Sequence, residues 1–129
     1  MIVLLDTSTP LCQLTLVDGE SMSHYEWQAD RELARGLLAF LRDKMAEHQA
    51  SFDDISAVGV MKGPGSFTGL RIGLTVANTI AFDRQLPIVG VEQSDDWQTV
   101  ALSRLQRGEN DQLVMPHYGR EANITKPRK

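Results

Sequence analysis

The hydrophobic period of this chain changes near Asp30, and that change limits the folds open to it. Before it, short apolar runs are separated by turn residues. MIVLL (Met1–Leu5) is a continuous apolar run of the kind a buried strand makes, and DTSTP (Asp6–Pro10) is a turn. LCQLTLV (Leu11–Val17) partly alternates and runs into Asp18-Gly19, a strong hairpin signal. A third strand is therefore expected over about Glu20–Gln28. After the change, Leu33, Leu37, Leu38, Leu41 and Met45 recur at helical spacing between Asp30 and about His48, with Asp30 as the expected N-cap.

The rest of the chain alternates. ISAVGVM (Ile55–Met61) predicts a strand, Leu70–Phe82 a helix, PIVGV (Pro87–Val91) a strand and Asp95–Arg107 a helix. QLVMP (Gln112–Pro116) predicts a last short strand. An N-terminal antiparallel meander followed by strands alternating with helices is an α/β pattern, with a mixed sheet and flanking helices, because parallel neighbours need crossovers. At 129 residues there is material for one small domain.

Between the fourth strand and its helix lies KGPGSFTGLRIGL (Lys62–Leu74). A P-loop needs a lysine directly after its last glycine, and here Gly69 is followed by Leu70-Arg71. The dinucleotide fingerprint needs G-x-G-x-x-G, and the spacing Gly63, Gly65, Gly69 is one residue too long. What remains is a tight strand-to-helix turn with Ser66 or Thr68 as cap; an anion at its backbone N–H groups is the minority reading. The helix has a more distinctive feature: Gly69, Gly73, Ala77 and Ala81 recur every fourth residue. Such a stripe lets another element come close. Two readings are open, this chain's own sheet or first helix, and a helix of another chain. The second is preferred, since so short a chain has few elements to cover both faces.

A formal charge of −4 gives no basic footprint for independent nucleic-acid binding. The exception is the tail, where Arg120, Lys126, Arg128 and Lys129 face only Glu121; it reads as a solvated terminus. A single cysteine, Cys12, excludes an internal disulfide, reads as a small core residue and suits a reducing compartment. The start shows no signal-peptide pattern, and no apolar run approaches the roughly 20 residues of a membrane span. A cytoplasmic location is expected, with no membrane association.

The residues now support a resemblance. GVMKGPGSFTGLRIGL (Gly59–Leu74) resembles the signature of the TsaB (YeaZ) family of tRNA threonylcarbamoyladenosine biosynthesis proteins. MIVLLDTST (Met1–Thr9) and LPIVGV (Leu86–Val91) are similar to its first strand and turn and to the strand after its glycine-loop helix. MPHYGREANITKP (Met115–Pro127) is similar to its C-terminal tail. The resemblance implies a first lobe of the actin, sugar-kinase and Hsp70 (RNase H-like) type over residues 1–111, with a family-like tail over 112–129. Family members are considerably longer, so most of a second lobe is expected to be missing. DRELARG (Asp30–Gly36) also departs from the family, which often has His-Ser there.

The resemblance further implies a non-catalytic subunit. It would bind TsaD, the enzyme that transfers a threonylcarbamoyl group to adenosine 37 of tRNA, with the ATPase TsaE in the complex and tRNA met only indirectly. Family members pair with TsaD or with themselves through the two helices of the first lobe. The residues implied here are Leu33, Leu37 and Leu41 on the first helix and Gly69, Leu70, Gly73, Ala77 and Ala81 on the second. No cofactor of its own is expected, with ATP only in complex with partners.

An enzyme is the alternative from another class: a nucleotide-binding or hydrolysing protein using the Asp6 turn with Gly63, Gly65 and Ser66. A shortened homodimeric paralogue with a regulatory role is a third reading. Against the enzyme stand the absent lysine and the missing cleft wall, and Asp6 reads better as a turn-capping carboxylate. No catalytic residue is assigned. No metal is expected, since His24, His48 and His117 form no H-x-x-x-H pair. Trp27 and Trp97 read as packing residues; Tyr118 and Arg120 touch a partner or tRNA, or the tail lies back across the sheet.

Overall fold

The computed structural model describes residues 1–118; the basic tail beyond them, including Arg120, lies outside the described residues. Strand β1 (Ile2–Asp6) lies at the centre of a sheet of five strands. On one side it pairs antiparallel with β2 (Leu11–Asp18), which pairs antiparallel with β3 (Ser21–Gln28). On the other side it pairs parallel with β4 (Ala57–Gly63), which pairs parallel with β5 (Ile88–Glu92). The order is β3-β2-β1-β4-β5, the mixed sheet expected. The expected hairpin is present, with Gly19 at φ +64 opening a loop closed by the Asp18–Ser21 pair.

Helix α1 (Leu33–Ala46) and helix α2 (Phe67–Arg84) cover one face of the sheet, and α3 (Trp97–Gln106) covers the other. Alternation along β1 divides its side chains between the faces: Val3 and Leu5 join α1 and α2, while Leu4 joins Trp97 and Ala101 of α3. Residue Asp30 does not cap α1. It lies in a 3-10 turn, Asp30–Glu32, at φ 48, and its carboxylate accepts from the Gln28 amide at 2.8 Å. Helix α2 starts three residues earlier than the apolar pattern suggests, because Ser66 is its cap and accepts from the Gly69 N–H at 3.3 Å.

The strand expected at Gln112–Pro116 is absent. Residues 110–118 instead form a strap from the start of β5 to the end of β4, held largely by side-chain bonds. Asn110 Oδ1 accepts from the Ile88 N–H (3.1 Å), and Asp111 Oδ2 from the Gly90 N–H (2.9 Å). Asp111 N–H donates to the Ile88 carbonyl (2.7 Å), and Arg104 Nη1 to the Gly90 carbonyl (2.9 Å). Side chains thus occupy the edge of β5 where another strand would pair. Further along, the Asn78 carboxamide brackets Val114, donating to its carbonyl and accepting from its N–H, both at 2.9 Å. Val114 is buried against Gly90, where any Cβ would collide with it. The His117 N–H then donates to the Lys62 carbonyl at 2.7 Å, and the Tyr118 ring packs on Phe67 with centroids 4.5 Å apart.

The strap carries a pH dependence. Arg104 bridges Glu109 (Nε–Oε1 2.6 Å) and Asp111 (Nη2–Oδ1 2.5 Å). Hydrogen bonds from Arg104 and then Arg107 hold the Glu109 carboxyl below its ordinary value. Burial pushes Asp111 up, but the bonds from Arg104 and the Gly90 N–H outweigh it, leaving Asp111 also lowered. A lowered carboxyl stabilises the fold above its unfolded-state value and loses that contribution as the pH falls through its folded value. The melting temperature should therefore fall more steeply below about pH 4 in the native chain than in Arg104→Met. Equal slopes in a pH series of thermal melts would refute the linkage.

Candidate functional site: the glycine loop and the faces of α2

The turn after β1 and the glycine loop form one unit. Asp6 Oδ1 accepts from the Ser8 N–H (2.9 Å) and the Ser8 hydroxyl (2.6 Å), so Asp6 caps its own turn. The Ser66 N–H donates to the Ser8 carbonyl (2.8 Å), and the buried Thr7 hydroxyl donates to the Gly69 carbonyl (2.8 Å). A Cβ on Gly65 would stand 2.5 Å from Ser8 Cβ. On Gly63, at φ +120, it would collide with the His117 carbonyl. The close approaches these glycines allow are made by this chain itself. Among the residues weighed as an anion site, Ser66 already donates its N–H to the Ser8 carbonyl, and its hydroxyl oxygen accepts from the Gly69 N–H.

The same holds for the small-residue stripe, which corrects the docking face assigned to it. A Cβ on Gly69 would collide with the Thr7 carbonyl, and one on Gly73 with the Thr7 hydroxyl. Ala77 and Ala81 are buried in the same core, as are Leu70 and, on α1, Leu33, Leu37 and Leu41. All eight residues face inward, so they are core and not a surface open to another chain. The nearby element that Gly69 and Gly73 demanded is the turn after β1, and Ala77 and Ala81 continue the stripe into the core. The period of 3.6 residues that turns this stripe inward turns another row out. Ala34 of α1 and Thr68, Arg71, Ile72, Thr75 and Val76 of α2 line a surface groove of about 380 Å³. Leu38 on α1 is 54% exposed and Phe82 at the end of α2 is 85% exposed. Sequence reasoning missed this row; the signal was present, because α2 carries β-branched residues at Ile72, Val76 and Ile80, beside the stripe.

On the opposite face of the sheet, a cleft of about 460 Å³ is lined by Asp6, Gln13, His24, Ser94, Asp95 and Gln98, among others. Cys12 is buried in the core, where burial first and the Asp6 charge second push its thiol up to about 12, far from a reactive thiolate. Among the described residues no group of three or more His, Cys, Asp or Glu side chains is placed to hold a metal ion, and no helix is long and apolar enough to cross a membrane.

Residues 27–111 match the sequence model of the family described as TsaD: tRNA N6-adenosine threonylcarbamoyltransferase. The chain belongs to the TsaD family. It is similar to the tRNA threonylcarbamoyladenosine biosynthesis protein TsaB of Escherichia coli (strain K12). The two are 37% identical over 91 residues, covering 70% of this chain and 39% of that protein. TsaB of Haemophilus influenzae is 31% identical, covering 67% of this chain and 37% of that protein. The tRNA N6-adenosine threonylcarbamoyltransferase of Bacillus thuringiensis (strain Al Hakam) is 36% identical over 63 residues, 49% of this chain and 18% of that protein. Among solved structures, YeaZ from Pseudomonas aeruginosa aligns with a TM-score of 0.63 at 30% identity, covering 70% of this chain and 44% of that one. A further Pseudomonas aeruginosa structure, described as similar to peptidase YEAZ, aligns at 0.67 with 32% identity, covering 70% of this chain and 42% of that one. The chain spans well under half the length of the curated relatives it matches. The expected resemblance to TsaB and the expected α/β, RNase H-like lobe both stand.

Proposed function

We propose that this chain is a non-catalytic, TsaB-like subunit of tRNA threonylcarbamoyladenosine biosynthesis, and that it docks on a TsaD-type transferase through the outward faces of α1 and α2. The observation that carries this reading is the division of α2. Its glycine–alanine stripe is consumed by the chain's own turn and core, while Ile72 and Val76 line a surface groove with Ala34, beside exposed Leu38. An apolar row left on a helix already packed on its other side suits a second helix pair. The subunit would take no chemical step; ATP would enter only in the complex, with TsaE as the further partner and tRNA met indirectly. Action in the cytoplasm goes with this reading.

The experiment is co-purification and titration with the TsaD of the same source. Thr75→Arg, at an exposed position in the groove, should weaken that complex about 100-fold, near 2.7 kcal/mol, with the thermal melt almost unchanged. Threonylcarbamoyladenosine in tRNA, read by mass spectrometry, should fall in parallel. Unchanged affinity would overturn the docking face. The Asp6-lined cleft keeps a second reading, nucleotide binding, in view. Micromolar ATP binding by the chain alone, lost in Asp6→Ala, would replace the first reading with it.

A further inference from the structure

The cleft on the α3 side of the sheet is acidic. Its wall holds Asp6, Asp95 and the Gln98 carboxamide, around a volume of about 460 Å³, and no lysine or arginine lines it. The one histidine in the wall, His24, is bonded to Thr15 at 3.0 Å. Asp6 spends Oδ1 on its own turn. Among the described residues no hydrogen bond reaches Asp6 Oδ2 or the exposed Asp95 carboxylate. Met61 and Trp97 supply the apolar part of the wall. Such a cleft suits a long cationic side chain, with its aliphatic stem on the apolar wall and its charge at the carboxylates.

The strap delivers cations to this cleft. It ends where the His117 N–H donates to the Lys62 carbonyl (2.7 Å) and His117 Nδ1 stands 3.1 Å from Glu92 Oε2. The residues directly after Glu92, from Gln93 to Asp95, line the cleft. Asp6, at the end of β1, lies two strand spacings from the end of β5, about 10 Å. Residues 119–129 follow Tyr118 and can extend to about 36 Å, so both walls of the cleft are within their reach. They carry Arg120, Lys126, Arg128 and Lys129 against Glu121 alone. The groove between α1 and α2, by contrast, has Arg71 in its wall and no acid. Charge therefore selects the cleft over the groove.

We propose that the basic tail, residues 119–129, folds back into the cleft between Asp6 and Asp95 and plugs it. The contact is intramolecular, with an effective concentration on the order of millimolar, so a few individually weak ion pairs keep the plug mostly closed. A ligand or a partner reaches the cleft only by displacing the tail. The plug leaves the outward faces of α1 and α2 free, so it stands or falls separately from docking on a transferase.

Paramagnetic NMR on the full chain tests this. A nitroxide is attached at Thr125→Cys; Cys12 stays unlabelled, because it is buried and its thiol is pushed up to about 12. The label should broaden the amides of Asp95 and Gln98 about tenfold more than those of Ile72 and Val76, which lie on the groove. Asp95→Lys, at an exposed loop position, should cut that contrast at least about threefold, and so should Lys126→Glu with Arg128→Glu. Combining the two sets of changes makes the charges opposite again and should restore much of it. Salt at about 1 M should also reduce it, and tenfold dilution of the chain should not. The proposal is overturned if the native chain shows no contrast or a contrast reversed toward Ile72 and Val76. It is equally overturned by a contrast that survives both charge reversals, or by one that fades on dilution, which would mean the tail of a second copy.

Discussion

Gly73→Leu should strongly destabilise the domain rather than merely dissolve a complex. A Cβ at this position collides with the Thr7 hydroxyl and stands 2.9 Å from Thr7 Cγ2. Thr7 cannot easily yield, because it is fully buried and its hydroxyl donates to the Gly69 carbonyl at 2.8 Å. Overpacking a core costs about 1–3 kcal/mol. Displacing a buried hydrogen bond adds about 1–3 kcal/mol. Removing glycine from a helix interior returns only about 1 kcal/mol. The net loss should be about 3 kcal/mol, a large part of the stability of a small domain. Thermal melts and urea titration measure it. A double-mutant cycle with Thr7→Ala should show coupling above about 1 kcal/mol, since truncating Thr7 opens the space that Gly73 needs. If Gly73→Leu melts like the native chain and loses only assembly, the stripe faces a partner after all.

The neighbouring leucines of α1 should separate stability from docking. Leu37 is completely buried, in the cluster that joins α1 and α2 to the sheet. Leu37→Ala should cost about 2–5 kcal/mol, the transfer of the lost carbons plus the cavity left behind. Leu38, one residue on, is 54% exposed, and Leu38→Ala should change stability by no more than about 0.5 kcal/mol. Leu38→Asp should weaken the proposed complex with a TsaD-type transferase while leaving the melt near native. Two adjacent leucines with opposite readouts distinguish a core stripe from a docking stripe. Similar melts for Leu37→Ala and Leu38→Ala would contradict the orientation of α1.

Much of the lobe could be read from the order of residues. The apolar run of β1, the partial alternation of β2, the Asp18-Gly19 hairpin and the alternation of strand and helix from Ile55 onward determine the mixed sheet. These signals are local: each is a few side chains wide and reports its own element. The helix ends were less legible. Asp30 looks like a cap but spends its carboxylate on Gln28, while Ser66 caps α2 through the Gly69 N–H. A side chain with two bonding choices is decided by which backbone lies near.

The candidate site divides the same way. Glycine and alanine at every fourth position of α2 do state that something comes close, because only small side chains leave that space. They do not state whose atoms fill it. In so short a chain a turn, and not only a helix or a strand, can fill such a space, and here the turn after β1 does. Thr7 fills the space, 62 residues from Gly69, through a bond that no local pattern encodes. The strap was hidden for the same reason: Asn78 brackets the backbone of Val114 36 residues away, so Gln112–Pro116 looks like a strand yet pairs through side chains. By itself the sequence determined the elements, their order and the family they resemble, since periodicity and turn chemistry are properties of neighbours along the chain. Only the tertiary structure decided which face of α2 is core and which is surface, since that depends on contacts between segments far apart in sequence.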